Sequence, residues 1–475
     1  MSNSLKNKTL HGLAWSSIEN FAPQIVSFIV MLVVARILSP KDYGLLGMLT
    51  IFTAISNSLV NSGFSQALIR KQNRTETDCS TVFYFNFVVS VILYFILYLA
   101  APWIAKFYNE PQLCELARVL FLVIIINATA VVQRALYSAS INFKTIAKAT
   151  LTSSVISGTA GIIMAISGFG VWTLVFQTLL NTTINVLLLW WFSTWKPKLL
   201  YSWKSFKELF SFGSKLMISG LIDTLYGNMY TIVIGKVFSA HSLGHYSRAK
   251  HYSNLLSSNL TGILQRVTYP VLCKMQDNDE QLRINYRKLL RLSAFVIFPM
   301  MCGLASVSYP LIEVMIGKKW HFASTLLIPM CFTGMWYPIH AINLNLLQVK
   351  GRSDLFLKLE IIKKIIGVTV LFATLPYGLV FMCWFRILNQ FISLILNTYY
   401  TGKLIKVGFI RQMRDLLPSL LLSLCLFGVC FSECNMISNS WLKLLIAIPS
   451  GFAIYFFGSK LMKMQELSYL RSLRK

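Results

Sequence analysis

The apolar positions of this chain fall in stretches of about twenty or more, the length a helix needs to cross the hydrocarbon core. Short polar segments separate them. The stretches occupy residues 13–37, 44–69, 80–102, 113–135, 147–168, 171–192, 208–234, 251–273, 290–316, 322–349, 356–375, 378–400, 416–433 and 441–460. The pattern predicts an all-α, polytopic membrane protein of about fourteen transmembrane helices. The first stretch follows Lys6 and Lys8, contains Glu19 and Pro23, and has no small-residue cleavage site behind it. It is therefore read as a retained helix and not a signal peptide.

Basic residues sort with these segments. With the N-terminus placed in the cytoplasm, and basic residues at span ends credited to the adjoining loop, cytoplasmic segments hold 31 of the 44 Lys and Arg. External segments hold 9, and four (Arg118, Lys215, Arg266 and Arg386) fall inside spans. Such an excess belongs to cytoplasmic loops, so the chain is expected to be N-in and C-in. Composition agrees. Of 475 residues 55% are hydrophobic and 13% charged, and 44 Lys and Arg face 17 Asp and Glu. A soluble nucleic-acid binder of this basicity would be far more hydrophilic, and a disordered chain could not be this apolar. The net charge of +27 thus speaks mainly of orientation, and no nucleic-acid partner is expected. Nine scattered Cys, of which only Cys430 and Cys434 lie close together, form neither a disulfide framework nor a zinc site.

Two stretches 200 residues apart are alike. Arg36-Ile37-Leu38-Ser39 followed by Tyr43-Gly44 comes after the first span, and Lys236-Val237-Phe238-Ser239 followed by Leu243-Gly244 comes after the seventh. Six helices separate the copies, an even number that keeps both in one orientation, as in parallel repeats. The expected organisation is a six-helix bundle over residues 1–200, a second over 201–402, and two added helices with a cytoplasmic tail over 403–475. A substrate path is expected between the bundles.

Four spans carry polar residues on one helical face: Ser16, Asn20, Pro23 and Ser27; Thr50, Thr53, Asn57, Asn61 and Ser65; Ser219, Asp223, Tyr226 and Tyr230; and Asn254, Ser258, Thr261 and Gln265. Lipid satisfies no polar face, so these meet protein or water. Interhelical hydrogen bonding uses the same residue types. Their place on the first two helices of each half favours a shared water-filled cavity. Asp223, near the middle of the seventh span, is the sharpest candidate there, because a carboxylate at that depth costs roughly 2.5–3.5 kcal/mol on insertion scales. Pairing with a basic residue is its structural alternative. Glu19 is expected nearer the cytoplasmic interface. Arg266 and Arg386 lie about two turns inside their spans and suit facing the cavity and snorkelling equally, whereas Arg118 and Lys215 sit at span ends and suit snorkelling. Arg248 and Lys250 follow Gly244 and are expected to form a basic gate. The candidate cavity set is therefore Glu19, Asn57, Asn61, Asp223, Tyr226, Tyr230, Arg248, Lys250, Arg266 and Arg386, with no catalytic or metal-ligating residue assigned.

Other motifs are weaker. Asp277-Asn278-Asp279 has the form by which some glycosyltransferases hold a metal-bound nucleotide sugar, but it is expected to be a solvated acidic turn. His241, His245 and His251 lack a completing carboxylate or Cys and are expected to be hydrated loop residues. No GxxxxGK[ST] sequence is present to make a P-loop. Short external loops argue against a glycan polymerase or transferase.

The loop residues carry a family resemblance. Ala35-Arg36-Ile37-Leu38-Ser39-Pro40-Lys41-Asp42-Tyr43-Gly44 is similar to the opening signature of bacterial polysaccharide exporters and lipid-linked oligosaccharide flippases of the multidrug/oligosaccharidyl-lipid/polysaccharide superfamily. Gly63-Phe64, Ala101-Pro102-Trp103-Ile104-Ala105, Gly168-Phe169-Gly170-Val171-Trp172, Ile234-Gly235, Leu243-Gly244-His245-Tyr246-Ser247-Arg248-Ala249, Tyr269-Pro270, Gly317-Lys318-Lys319-Trp320 and Gly351-Arg352 follow in order. The set spans residues 10 to 400 and most resembles the colanic-acid-exporter type. The resemblance implies a two-lobed inner-membrane transporter whose cavity is lined by the first, second, seventh and eighth spans. It would flip an undecaprenyl-diphosphate-linked glycan to the external leaflet by alternating access, without enzymatic activity or a bound cofactor. Coupling to an H+ or Na+ gradient is left open, as is association with polysaccharide polymerase machinery. An ion-coupled drug antiporter on the same fold is the alternative. Many relatives carry an Asp-Asn pair before the Ile-Gly of the seventh span, where this chain has Tyr230-Thr231, so that acidic position does not transfer.

Overall fold

The structure, a computed structural model, describes residues 22–61 and 63–472. Glu19, Ser16 and Asn20 lie outside the described residues, as does the side chain of Asn61. The helices in chain order are α1 (Ala22–Ile37), α2 (Pro40–Asn61), α3 (Phe64–Arg70), α4 (Glu76–Tyr108), α5 (Leu113–Leu120), α6 (Leu122–Ala128), α7 (Val131–Ala139), α8 (Phe143–Ile166), α9 (Trp172–Phe192) and α10 (Trp203–Val237). They continue as α11 (Ala240–Cys273), α12 (Asp279–Ser306), α13 (Ser308–Ile316), α14 (His321–Gly334), α15 (Tyr337–Val349), α16 (Ser353–Thr374), α17 (Leu379–Ile405), α18 (Phe409–Met436), α19 (Ser440–Leu461) and α20 (Gln465–Ser472). No strand occurs among the described residues. The chain is all-α, as its apolar pattern requires.

Nine of the described helices are long and apolar enough to cross a membrane, ten if the pair Leu113–Ala128 and Val131–Ala139, bent by 41°, counts as one. Helices α10, α11 and α16 fall short of that test. Polar stripes dilute the apolar content of the first two, and Lys358, Glu360, Lys363 and Lys364 do so in α16.

One connection differs from expectation. Residues 235–250 are expected to be mostly loop, but α10 runs to Val237 and α11 starts at Ala240. The reason is a cap. Ser239 Oγ accepts the backbone N–H of Ser242 at 3.1 Å and starts the helix, although the residues that follow are too polar to register as an apolar run. Arg248 and Lys250 therefore sit inside α11. His245 is not a hydrated loop residue either: it is buried against the Trp320 and Phe322 rings.

By its contacts the chain divides into Met1–Gly244 and His245–Lys475. In the first unit α8 packs along α9, and α10 packs on α2, α3 and α4. Its apolar centres join Phe64, Leu68, Val82, Val132 and Leu209 in one cluster and Ala130, Ala149, Val186 and Leu189 in another. In the second unit α12 packs most extensively on α18, which carries α19, while α14, α15 and α16 surround α17. Leu422, Leu426, Cys430, Ala447 and Tyr455 form the apolar seam of α18 and α19 with Phe295 of α12. Polar links add direction: Arg287 holds Asp415 through two bonds of 2.7 and 2.6 Å, and Tyr455 Oη donates to the Phe295 carbonyl at 2.9 Å. All nine Cys are free.

Candidate functional site

The repeated loops fold alike. Ser39 precedes α2, and its Oγ accepts the Asp42 N–H at 3.3 Å. The Asp42 carboxylate accepts the Ser39 N–H at 2.8 Å in return, a reciprocal cap that fixes where the helix begins. Ser239 does the same work for α11 with Ser242. Two positions further along each helix stands a glycine. A methyl group on Gly44 would fall inside the Ala240 carbonyl, and one on Gly244 inside the Pro40 carbonyl. Each copy's glycine thus receives the first helical residue of the other copy, a reciprocal clasp of helix starts that only a residue without Cβ permits.

A second close approach joins α10 to the break between α2 and α3, where Gly63 and Gly213 meet backbone to backbone. Between the two contacts, in sequence, lie Thr50, Thr53 and Asn57 on α2 and Ser219, Asp223, Tyr226 and Tyr230 on α10. Asn57 Oδ1 is buried without a hydrogen bond among the described residues. Asp223 is exposed, while Tyr226 and Tyr230 are half-buried.

The basic candidates separate. Lys250 and Arg386 line one cavity of about 20 Å³ with Ser253, Asn254, Met330, Thr333 and Tyr337, room for an occupant the size of a water molecule. The Arg386 guanidinium receives support from two phenol oxygens, Tyr246 at 3.1 Å and Tyr337 at 3.5 Å. Ser253 Oγ donates to the Met330 carbonyl at 3.1 Å, and Gly334 lets α14 close on Ser253 and Ser257. Two like charges on one small cavity raise its potential for an anion. Arg248 sits within one turn of Lys250 and is half-buried, whereas Arg266 is exposed and does not line this cavity.

Tyr246, Tyr337, Met330 and Thr333 carry no signal in the sequence. They come from α11, α14 and α15, and no spacing rule links them to Arg386 on α17. The Asp277-Asn278-Asp279 turn has a structural use. Asn278 Oδ1 caps α12 by accepting the N–H groups of Glu280 and Gln281 at 3.1 and 3.0 Å, and Asp279 pairs with Lys350 at 2.6 Å. No group of three or more metal-ligating side chains occurs among the described residues.

A family model described as "Polysaccharide biosynthesis protein" matches residues 33–325. The teichuronic acid biosynthesis protein TuaB of Bacillus subtilis is 25% identical over 463 residues, covering 96% of this chain and 95% of its own. The lipopolysaccharide biosynthesis protein WzxC of Escherichia coli is 27% identical over 363 residues, covering 76% and 74%. Among solved structures, the lipid II flippase MurJ in an inward closed conformation superposes with a TM-score of 0.74 at 16% identity, over 98% of this chain and 100% of that one. The last likeness shows a shared fold.

Proposed function

The chain belongs to the polysaccharide biosynthesis protein family, a multi-pass membrane protein, and on that premise we propose that it flips a lipid-linked oligosaccharide across the inner membrane. The glycan is carried on undecaprenyl diphosphate. Its sugar follows a polar path through the protein, while the polyprenyl tail stays in lipid. The N-terminus and C-terminus face the cytoplasm, and the chain is organised as two six-helix halves with two added helices. The activity is transport and not catalysis. The flipped unit is then available to polymerase machinery on the external side.

The observation that carries this reading is the cavity shared by Lys250 and Arg386 inside a membrane bundle. A diphosphate or an acidic sugar offers the negative charge that two neighbouring cations attract and a cationic drug does not, and the water-sized cavity between them must widen to admit it. The phenols of Tyr246 and Tyr337 hold the Arg386 fork in place, so little ordering remains to be done when an anion arrives. Asp223 and Asn57 serve the neutral hydroxyls of the sugar.

The test is export. Replacing both Lys250 and Arg386 with Ala should lower surface glycan at least tenfold, with lipid-linked oligosaccharide accumulating on the cytoplasmic leaflet and the protein still inserted. Undiminished surface glycan in that double variant removes the cavity from the mechanism.

A further inference from the structure

The last helices of the chain build a second basic cavity. α19 is apolar almost to its end and then stops. Lys463 takes φ +49°, and the Met464 N–H donates to the Ser459 carbonyl at 3.0 Å, the closure of a left-handed helix stop. The chain turns there into α20. Met464 and Leu467 pack on the apolar seam that holds Phe295 and Tyr455, and the buried Glu466 lies 3.4 Å from Arg291 of α12. α20 is thereby laid on α12, and a cavity of about 500 Å³ remains where the two helices meet. Lys288, Arg291 and Leu292 line it from α12, and Gln465, Ser468 and Tyr469 line it from α20 beside Glu466. The space at Lys250 and Arg386 is about 20 Å³ and admits a water molecule. This one admits a phosphate together with the groups that esterify it.

Positive charge prevails on its walls. Two cations face the single carboxylate of Glu466. Lys288 Nζ stands 3.5 Å from the centroid of the Tyr469 ring, which steadies the ammonium and leaves its charge uncancelled. Arg291 Nε lies 3.4 Å from Glu466 Oε1, yet it is buried without a hydrogen bond among the described residues. The guanidinium therefore keeps donor capacity that Glu466 does not take up. Arg287, one turn earlier, is committed to Asp415 and lies outside the lining. The cavity also opens an apolar track. Leu292, Val296 and Met300 follow Lys288 at intervals of four residues and so share one face of α12. Val296 and Met300 are exposed, as are Phe457 and Leu461 at the end of α19. On helices of this length and apolarity such side chains meet acyl chains. A soluble anion would use only the cations, whereas a lipid uses both features. Basic pockets between transmembrane helices at the membrane surface recognise lipid head groups in this way.

We propose that the cavity between α12 and α20 binds an anionic phospholipid, with its phosphodiester on Lys288 and Arg291 and one acyl chain along Leu292, Val296 and Met300. Ser468 Oγ already donates to the Gln465 carbonyl at 2.7 Å, so it accepts a hydroxyl of the headgroup, and the Gln465 amide donates to a remaining oxygen. A zwitterionic headgroup would bring its own ammonium towards two cations and is disfavoured. The bound lipid ties α20 to α12 and so fixes the end of the chain to the bundle. This site needs only insertion in a membrane. It goes beyond the transporter reading and stands whether or not a glycan is flipped.

The test is lipid binding. Full-length protein in a non-ionic detergent, stripped of lipid, is titrated with phosphatidylglycerol or with phosphatidylethanolamine of the same acyl chains, and bound lipid is counted by native mass spectrometry. The expected result is a phosphatidylglycerol site at least tenfold tighter than any for phosphatidylethanolamine. Lys288→Gln should weaken that site about fivefold, the share of one cation at a membrane surface, and Lys288→Arg should keep it. Lys460→Gln removes an exposed charge outside the lining and should change nothing. Arg291→Gln strands the buried Glu466 and puts folding at risk, so the two Lys288 variants carry the test. A large excess of glycerol 3-phosphate should fail to displace the lipid. Displacement by that soluble anion overturns the lipid and assigns the cavity to a free phosphate ester. Equal binding of the two lipids, or equal losses in Lys288→Gln and Lys460→Gln, overturns the site itself.

Discussion

Ser39, Asp42 and Gly44 stand 200 residues from Ser239, Ser242 and Gly244, and both triplets act in the same way. A serine caps a helix, and a glycine two residues past the cap's partner admits the other copy's backbone. Arg134 and His340 also occupy equivalent stations, each bonded to an asparagine of the sixth helix of its half. There the chemistry has diverged, from a guanidinium to a buried imidazole. The contrast shows what constrains each place. At the clasp a backbone contact leaves no room for a side chain, so both copies keep glycine. At the polar stations any pair that satisfies the asparagine serves the packing, and the two halves are free to carry different charges.

The strongest way to break the first side of this comparison is to fill the clasp. Val at Gly44 or at Gly244 places branched carbons where a carbonyl now stands, and backbone cannot yield as a flexible side chain would. Either variant should reduce surface glycan below about a tenth of wild type, the loss that 1–3 kcal/mol of overpacking brings when it falls on one state of a cycle. Because the contact is reciprocal, the two losses should match within about threefold. Surface glycan measured in both variants, with membrane insertion checked, decides it; a severe loss from one and none from the other would show that the copies are not equivalent.

The halves also differ in what ties their helix ends. In the second, Gln412 Nε2 lies within 3.1 Å of the Tyr286 Oη, Asn343 Oδ1, Thr401 Oγ1 and Val407 carbonyl oxygens, all in a buried node. In the first, Lys71 bridges Asp78 at 3.1 Å and Glu208 at 3.0 Å, the latter exposed. Gln412→Ala strands several buried groups and should cost about 2–3 kcal/mol, seen as a lowered unfolding midpoint in detergent that 0.5 M salt leaves unchanged. Lys71→Ala should cost about 1 kcal/mol, and high salt should shrink even that difference by weakening the wild-type pair. Equal salt responses in the two variants would erase the distinction between an amide node and a charged one.

Much of this architecture is legible in the sequence, and the parts that are not share a cause. Apolar runs mark the membrane class, and the paired Ser-to-Gly motifs mark two helix starts that are capped alike. The start of α11 escapes notice because His241, Ser242, His245, Arg248 and Lys250 make a polar helix, and a search for apolar length passes over it. The meeting of Lys250 with Arg386 is invisible for another reason: 136 residues separate them, and their contact depends on how α11 packs against α14, α15 and α17. Lys363 counts by its charge towards a cytoplasmic loop, and His340 stands unmarked within an apolar span. Only the packing of α15 on α16 brings the Lys363 charge within reach of the ring. Arg266 is exposed on α11, and a depth estimated from sequence does not tell which way its helix face turns.

The finest test of the repeat lies in its caps. Both serines accept a backbone N–H three residues on, at 3.3 Å for Ser39 and 3.1 Å for Ser239, and those two bonds should contribute alike. Asp42 returns the favour to Ser39, accepting its N–H at 2.8 Å and its Oγ–H at 2.7 Å. Ser242 offers only its own hydroxyl, at 3.0 Å, and leaves the carboxylate's attraction for the helix start unmatched in the second copy. Ser39→Ala should therefore cost about 1–2 kcal/mol and Ser239→Ala about 0.5–1 kcal/mol. The gap should close when the cost of Ser39→Ala is measured in an Asp42→Ser background, because that background gives the first copy the second copy's pair of serines. Unfolding midpoints of these variants would check this, and a Ser239→Ala loss exceeding that of Ser39→Ala would mean that something other than the cap residues sets where these helices begin.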